Sequence, residues 1–282
     1  LIYTGGNAVA KHVYNSASKN LVPCTLELGG KSPVIISKTA DMKTTAKRIM
    51  FGKTLNAGQI CLAPDYVVVH KDKKDEFIKE TKEAVSEYYP DIKNNDDYTS
   101  IINQAHYDRL NDLLDDAIQK GANVEPINPS GEDFSQQEFY KIPPTIVTNT
   151  TDDMKIMQEE IFGPLLPVLE YEEIDEATDL INSKDKPLGL YYFGQNKSEE
   201  DDLLNKTSSG GVTVNNVISH LQQSELSFGG VGASGIGRYK SYEGCKTVSN
   251  PRADYNDVSS RFDNLFDGVR PPYKGNIEKI LK

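Results

Sequence analysis

The chain has no tryptophan among its 282 residues and only three cysteines, Cys24, Cys61 and Cys245. Cysteines so spaced give no disulfide framework, which excludes small cross-linked secreted scaffolds and points to a reducing compartment. Four histidines are present, and no His/Cys cluster has the spacing of a metal site. No run approaches the roughly 20 apolar residues that span a bilayer. The opening Leu1-Ile2-Tyr3-Thr4 lacks the basic region and long apolar core of a signal peptide. Basic charge is also in short supply: 31 Lys and Arg stand against 42 Asp and Glu, a formal net charge of -11. That balance argues against a nucleic-acid or anionic-membrane surface. There is no initiator methionine, and the first residues read as a strand interior, so the expectation is a piece of a longer polypeptide.

What remains is an ordinary globular composition, 37% hydrophobic and 26% charged, long enough for one large or two average domains. Leu1-Ile2-Tyr3 predicts a strand running through Thr4-Gly5-Gly6 into a helix from Ala8, a place where helix amides can meet a phosphate. Pro33–Ile36, Tyr66–His70, Pro144–Val147, Leu165–Tyr171, Leu188–Phe193 and Gly211–Val214 predict further strands. Helices are predicted over Asp41–Leu55, Asp72–Tyr89, Ala105–Lys120, Ile174–Asn182 and Glu199–Thr207, with Ile118 among the inward residues of the third. Alternation of this kind predicts an α/β fold with a largely parallel sheet flanked by helices. Asn128–Lys141 reads as an exposed loop and Asp254–Lys282 as extended chain. There is no internal repeat.

Three motifs carry chemistry. Cys61 lies in Asn56-Ala57-Gly58-Gln59-Ile60-Cys61, a small-residue turn that would leave the sulfur accessible and backbone N–H groups free to face an oxyanion. Glu27 precedes a Gly-Gly turn in Leu26-Glu27-Leu28-Gly29-Gly30-Lys31. A thiolate that attacks a carbonyl and a carboxylate that activates water are the two groups acyl transfer needs. Against this, an isolated cysteine is more often a small buried hydrophobe. The third motif is Glu159-Glu160-Ile161-Phe162-Gly163-Pro164, which as a bare sequence could be a helix end with a Gly-Pro stop. The late Gly-rich run from Ser227 to Gly237 is not followed by a βαβ unit and is a poor dinucleotide loop. Cys24 and Cys245 look structural, the latter in a turn, and a lone His220 is a surface or core histidine on its own merits.

Taken together, the motifs resemble the aldehyde dehydrogenase superfamily from Tyr3 to about Asn250, most closely its fatty and medium-chain branch. The resemblance makes Cys61 the nucleophile and Glu27 the general base. It places Thr4, Gly5, Gly6, Leu28, Glu160 and Phe162 at the cofactor, NAD or NADP, and Asn215, His220 and Phe228 on the substrate wall. Ala10 stands where the family often has glycine. The implied layout is the end of a Rossmann-like cofactor domain (1–27), a catalytic domain (28–217), a bridging and oligomerisation segment (218–248) and a tail (249–282). The implied activity is oxidation of a medium- or long-chain aldehyde through a thiohemiacetal and a thioester, with the Cys61 N–H as one oxyanion donor. A homodimer is implied, in the cytoplasm or, for a longer protein, at the cytosolic face of an organelle membrane. The family's oxyanion Asn and cofactor Lys find no counterpart here, so little turnover is expected of these residues alone. The rival readings are a non-catalytic relative and a cofactor-independent thiol esterase.

Overall fold

The structure, a computed structural model, describes residues 1–256, 271 and 273. Short β1 (Ile2–Thr4) leads into α1 (Asn7–Ser18), then β2 (Thr25–Glu27) and β3 (Pro33–Ile36). Next come α2 (Met42–Thr54), β4 (Tyr66–His70), α3 (Lys74–Tyr88), α4 (Gln104–Gln119), β5 (Asn123–Pro126) and β6 (Thr145–Thr148). A single turn α5 (Lys155–Gln158) precedes β7 (Leu165–Tyr171), α6 (Ile174–Asn182), β8 (Gly189–Phe193), α7 (Lys197–Lys206) and β9 (Gly211–Val214). A two-residue β10 (Gly235–Ile236) and α8 (Ser241–Val248) follow.

Seven strands form the main sheet in the order β5-β6-β7-β4-β3-β8-β9. All its pairings are parallel except that of β5 with β6. Every residue of β3, β4 and β8 is buried, as expected of parallel strands covered on both faces and rich in β-branched residues. Their side chains alternate between two cores. Ile35 and Val68 pack with Leu110, Leu113 and Tyr192 on one face. Val34, Ile36, Val67 and Val69 pack with Ile49, Phe77 and Val85 on the other. α2 presents Ala46, Ile49 and Met50 to that second core and starts where the Asp41 carboxylate accepts from the Thr44 N–H at 2.9 Å. α4 is capped by Asn103 and stops at Gly121, at φ +93°.

A second, three-stranded sheet runs β1-β2-β10, with β2 parallel to β1 and antiparallel to β10. Within residues 218–248, β10 closes against the strand that carries Glu27. Leu1–Val248 accordingly form one compact unit, with Ser249–Lys282 a second. Past Asn256 the extended tail expected from the sequence lies outside the described residues, apart from Pro271 and Tyr273.

Other expectations change in detail. Ile118 is exposed, because the buried face of α4 is narrowed to Leu110, Leu113 and Ala117. Cys245 is exposed on α8 rather than structural in a turn. The 128–141 segment is tied down: the Glu132 carboxylate accepts from the Ile92 N–H at 2.7 Å, and buried Lys141 donates to the Asn95 carbonyl at 2.6 Å. Among the described residues no helix is long and apolar enough to cross a membrane.

Candidate active site

The nucleophile loop begins where α2 ends. Asn56 and Ala57 both sit at φ 51° and Gly58 at φ 74°, three consecutive left-handed residues that reverse the chain toward Cys61. Gly58 is forced, since a Cβ there would stand 2.3 Å from the Gly163 carbonyl oxygen. Gln59 does more than leave room. Its Nε2 donates to the carbonyls of Asn56 (3.1 Å) and Ser100 (3.0 Å), and its Oε1 accepts from the Ile102 N–H at 2.9 Å. The loop is therefore stapled to the 100–102 segment. Cys61 is half-buried, and burial pushes its thiol up to about 11, with the Glu160 and Glu27 carboxylates adding to the rise. The N–H groups of Cys61 and Leu62 face the sulfur and oppose the rise.

Glu27 closes β2. Only 3% of it is exposed, and neither carboxylate oxygen has a hydrogen-bond partner among the described residues. Burial lifts its pKa to about 7 against the pull of the Arg238 guanidinium. Its backbone is fixed from both sides: its carbonyl accepts from the Gly5 N–H at 3.0 Å, and the next amide, Leu28, donates to Ser234 at 3.1 Å.

Glu160 lies on the Gly-Gly turn, so closely that a Cβ on Gly29 would stand 2.0 Å from its Oε2. Burial, then the charge of Asp65, lifts Glu160 to about 7, while the Gly30 N–H, Lys31 and Arg109 oppose the rise. Three residues that motif reading passed over hold this meeting together. Lys31 forms a buried ion pair with Asp65 and donates to the carbonyls of Ile156 (2.7 Å) and Glu159 (2.9 Å). Asp65 also accepts from the Ile161 N–H at 2.8 Å. Arg109 reaches the Glu160 carbonyl at 3.2 Å and that of Ile161. Lys31 next to Gly-Gly and Asp65 in Ala63-Pro64-Asp65 were the available signals. Lys53 is wholly buried behind the loop, its Nζ on the Pro64 carbonyl at 2.8 Å, and burial lowers its pKa to about 7.

A cavity of about 470 Å³ opens beside this turn, lined by Asn7, Gly29, Gly30, Lys31, Glu159 and Glu160 among others. At its edge α1 begins on Gly6, which offers no side-chain cap. Uncapped helix amides suit a phosphate and a carboxylate suits sugar hydroxyls, so these residues fit a dinucleotide. Asn7 lines the cavity, whereas Gly5 spends its N–H on Glu27. Thr4 ends β1 opposite Glu27. Leu28 is buried against Ala10 and Leu26, so alanine at position 10 is accommodated by close packing. Phe162 is 37% exposed at φ 47°.

The expected substrate wall divides. Phe228 is buried and packs edge-on against Tyr239, with ring centroids 5.6 Å apart. His220 stacks on Phe228 at 6.1 Å, with its Nδ1 on the Thr213 hydroxyl at 2.8 Å. Burial lowers its pKa, so His220 is a core histidine behind the aromatic pair. The Asn215 carboxamide accepts from the Gly194 N–H at 2.9 Å and donates to the Gly194 carbonyl at 3.0 Å, fastening β8 to the end of β9.

This arrangement has counterparts. The model of the aldehyde dehydrogenase family matches residues 1–253. The chain belongs to that family. A probable coniferyl aldehyde dehydrogenase of Caulobacter vibrioides is 54% identical over 281 residues, covering 100% of this chain and 58% of the relative. The 4,4'-diaponeurosporen-aldehyde dehydrogenase of Staphylococcus aureus is 44% identical, with 99% of this chain and 59% of the relative covered. Among solved structures, the substrate-bound state of Staphylococcus aureus AldH superposes with a TM-score of 0.84 at 40% identity, over 99% of this chain and 59% of that one. Betaine aldehyde dehydrogenase of Staphylococcus aureus in complex with NAD+ gives 0.76 at 29% identity, over 87% and 48%. The chain thus spans about half the length of these relatives, from 48% to 59%.

Proposed function

We propose that the protein carrying this chain oxidises an aldehyde to its carboxylic acid with NAD or NADP, using Cys61 as nucleophile and Glu27 as base. The observation that carries the reading is electrostatic: Cys61 feels the carboxylates of both Glu27 and Glu160, groups drawn from separate parts of the chain. Cys61 reacts as its thiolate, the thiol proton passing to solvent. The sulfur then adds to the carbonyl carbon, and the Cys61 N–H faces the oxygen that gains charge. The dinucleotide, when bound, supplies the hydride acceptor. Helix α1 and Glu160 would hold its phosphates and nicotinamide ribose, and Phe162 would pack its ring. Cys61 is left carrying an acyl thioester. Glu27, with no hydrogen-bond partner among the described residues and titrating at about 7, takes a proton from water, and the hydroxide displaces the Cys61 sulfur.

For the substrate we favour an apolar aldehyde with a long or conjugated body. The rings of Phe228 and Tyr239 support this, as do relatives named for coniferyl and diaponeurosporen aldehydes. A homodimer and a reducing, cytoplasmic setting belong to the same proposal. In the test, aldehyde and NAD+ are mixed rapidly and reduced cofactor is followed. Glu27→Gln should keep the initial burst and lose about 10²–10⁴-fold in steady rate. Cys61→Ser should lose both. Burst and steady rate falling together in Glu27→Gln would overturn the assignment of Glu27.

A further inference from the structure

Among the described residues none hydrogen-bonds the two buried carboxylate oxygens of Glu27. A base in that condition can take a proton from water, but it does not by itself fix where the water lies, and misplacement is costly. A second anchor would do so. The neighbouring donors are mostly committed. Arg238 donates to the carbonyls of Gly210 (2.6 Å) and Gly229 (2.9 Å). The fully buried Tyr191 hydroxyl donates to Leu62 at 2.7 Å, and Lys53 to Pro64.

Tyr239 differs. Among the described residues none hydrogen-bonds its hydroxyl, and its ring packs on the same core as Cys61 and Ile60. The chain reaches it by β10, whose Gly235 pairs with Glu27. Its backbone exchanges two hydrogen bonds with Phe228, at 2.8 and 2.9 Å. From the other side Gly244 of α8 sits so close that a Cβ there would stand 2.6 Å from the Tyr239 carbonyl carbon. The backbone of Tyr239 is therefore held from both sides, and burial, with the charges of Glu27 and Cys61 adding to it, keeps the phenol protonated.

We infer that the Tyr239 hydroxyl positions the water that Glu27 deprotonates, so that Tyr239 serves release of the acyl group rather than its formation. The inference rests on the acyl chemistry proposed above. The water oxygen accepts from Tyr239 and bonds to the thioester carbon, and its proton passes to Glu27. The carbon–sulfur bond breaks with its electron pair on Cys61. Tyr239 keeps its own proton throughout.

The test uses p-nitrophenyl acetate, which can acylate Cys61 without cofactor, on the full chain. Tyr239→Phe should leave the p-nitrophenol burst within about 2-fold and slow the steady release about 10-fold, the worth of one hydrogen bond. Added hydroxylamine attacks thioesters without a positioned water and should restore turnover to the wild-type level. A merely structural role would lower the burst and resist that rescue. An unchanged steady rate, or a burst that falls with it, overturns the inference alone. A wild type without a burst, or a Cys61→Ser variant that retains one, overturns the parent reading and this inference with it.

Discussion

Glu27 shows what a single residue contributes and what it costs. A carboxyl that titrates at about 7 when folded, against 4.5 otherwise, binds a proton more tightly in the native state. Between those values the unfolded chain gives up its proton first, so the residue's contribution to stability falls as pH rises from about 4.5 to 7 and stays low above that. Glu27→Gln should therefore be neutral near pH 4 and more stable than wild type at pH 8, on the order of 2–3 kcal/mol. Urea midpoints at the two pH values would measure this. Equal stabilities at pH 8 would mean that the carboxylate is better solvated than its burial indicates. The stored cost is what keeps the base reactive at neutral pH.

At the scale of the element, the nucleophile loop holds two non-glycine residues in the left-handed region. Ala57→Gly should stabilise by up to about 1 kcal/mol, since glycine adopts that conformation freely. Gly58→Ala should do the opposite, by about 2 kcal/mol or more, because its Cβ would meet the Gly163 carbonyl and push Cys61 out of register. Thermal unfolding of both variants, with alkylation of Cys61 as readout for the second, would check the pair. Elements of this kind divide by how they are encoded. β3, β4 and β9 could be read from β-branched runs, and the ends of α6 match the apolar spacing of Ile174–Asn182. β2 and β10, three and two residues long, could not, because pairing across some 200 residues makes them strands. Cys61, Glu27 and Glu160 were legible as motifs. The bare oxygens of Glu27, the double hold of Asn215 on Gly194 and the Lys31–Asp65 pair were not, since each depends on what the fold brings alongside.

For the molecule as a whole, Lys31 and Asp65 are the knot that ties the Gly-Gly turn, the nucleophile loop and the 156–161 segment. Lys31→Met would leave Asp65 buried without its cation, and a loss of about 3–5 kcal/mol is expected in denaturant titration. A loss under 1 kcal/mol would mean that the backbone amides alone satisfy Asp65. The two sheets carry a different consequence, a colloidal one. β1 and β9 are outermost strands, and their apolar side chains Ile2, Val212 and Val214 are 56%, 36% and 36% exposed. Neither strand contains a lysine or a proline to discourage pairing with another chain. What opposes such pairing is the net charge of -11, a long-range repulsion that salt weakens as the Debye length shrinks from about 30 Å at 0.01 M to about 3 Å at 1 M. Light scattering should therefore rise with added sodium chloride, opposite to a protein that associates through ion pairs, and Val212→Lys should suppress the rise.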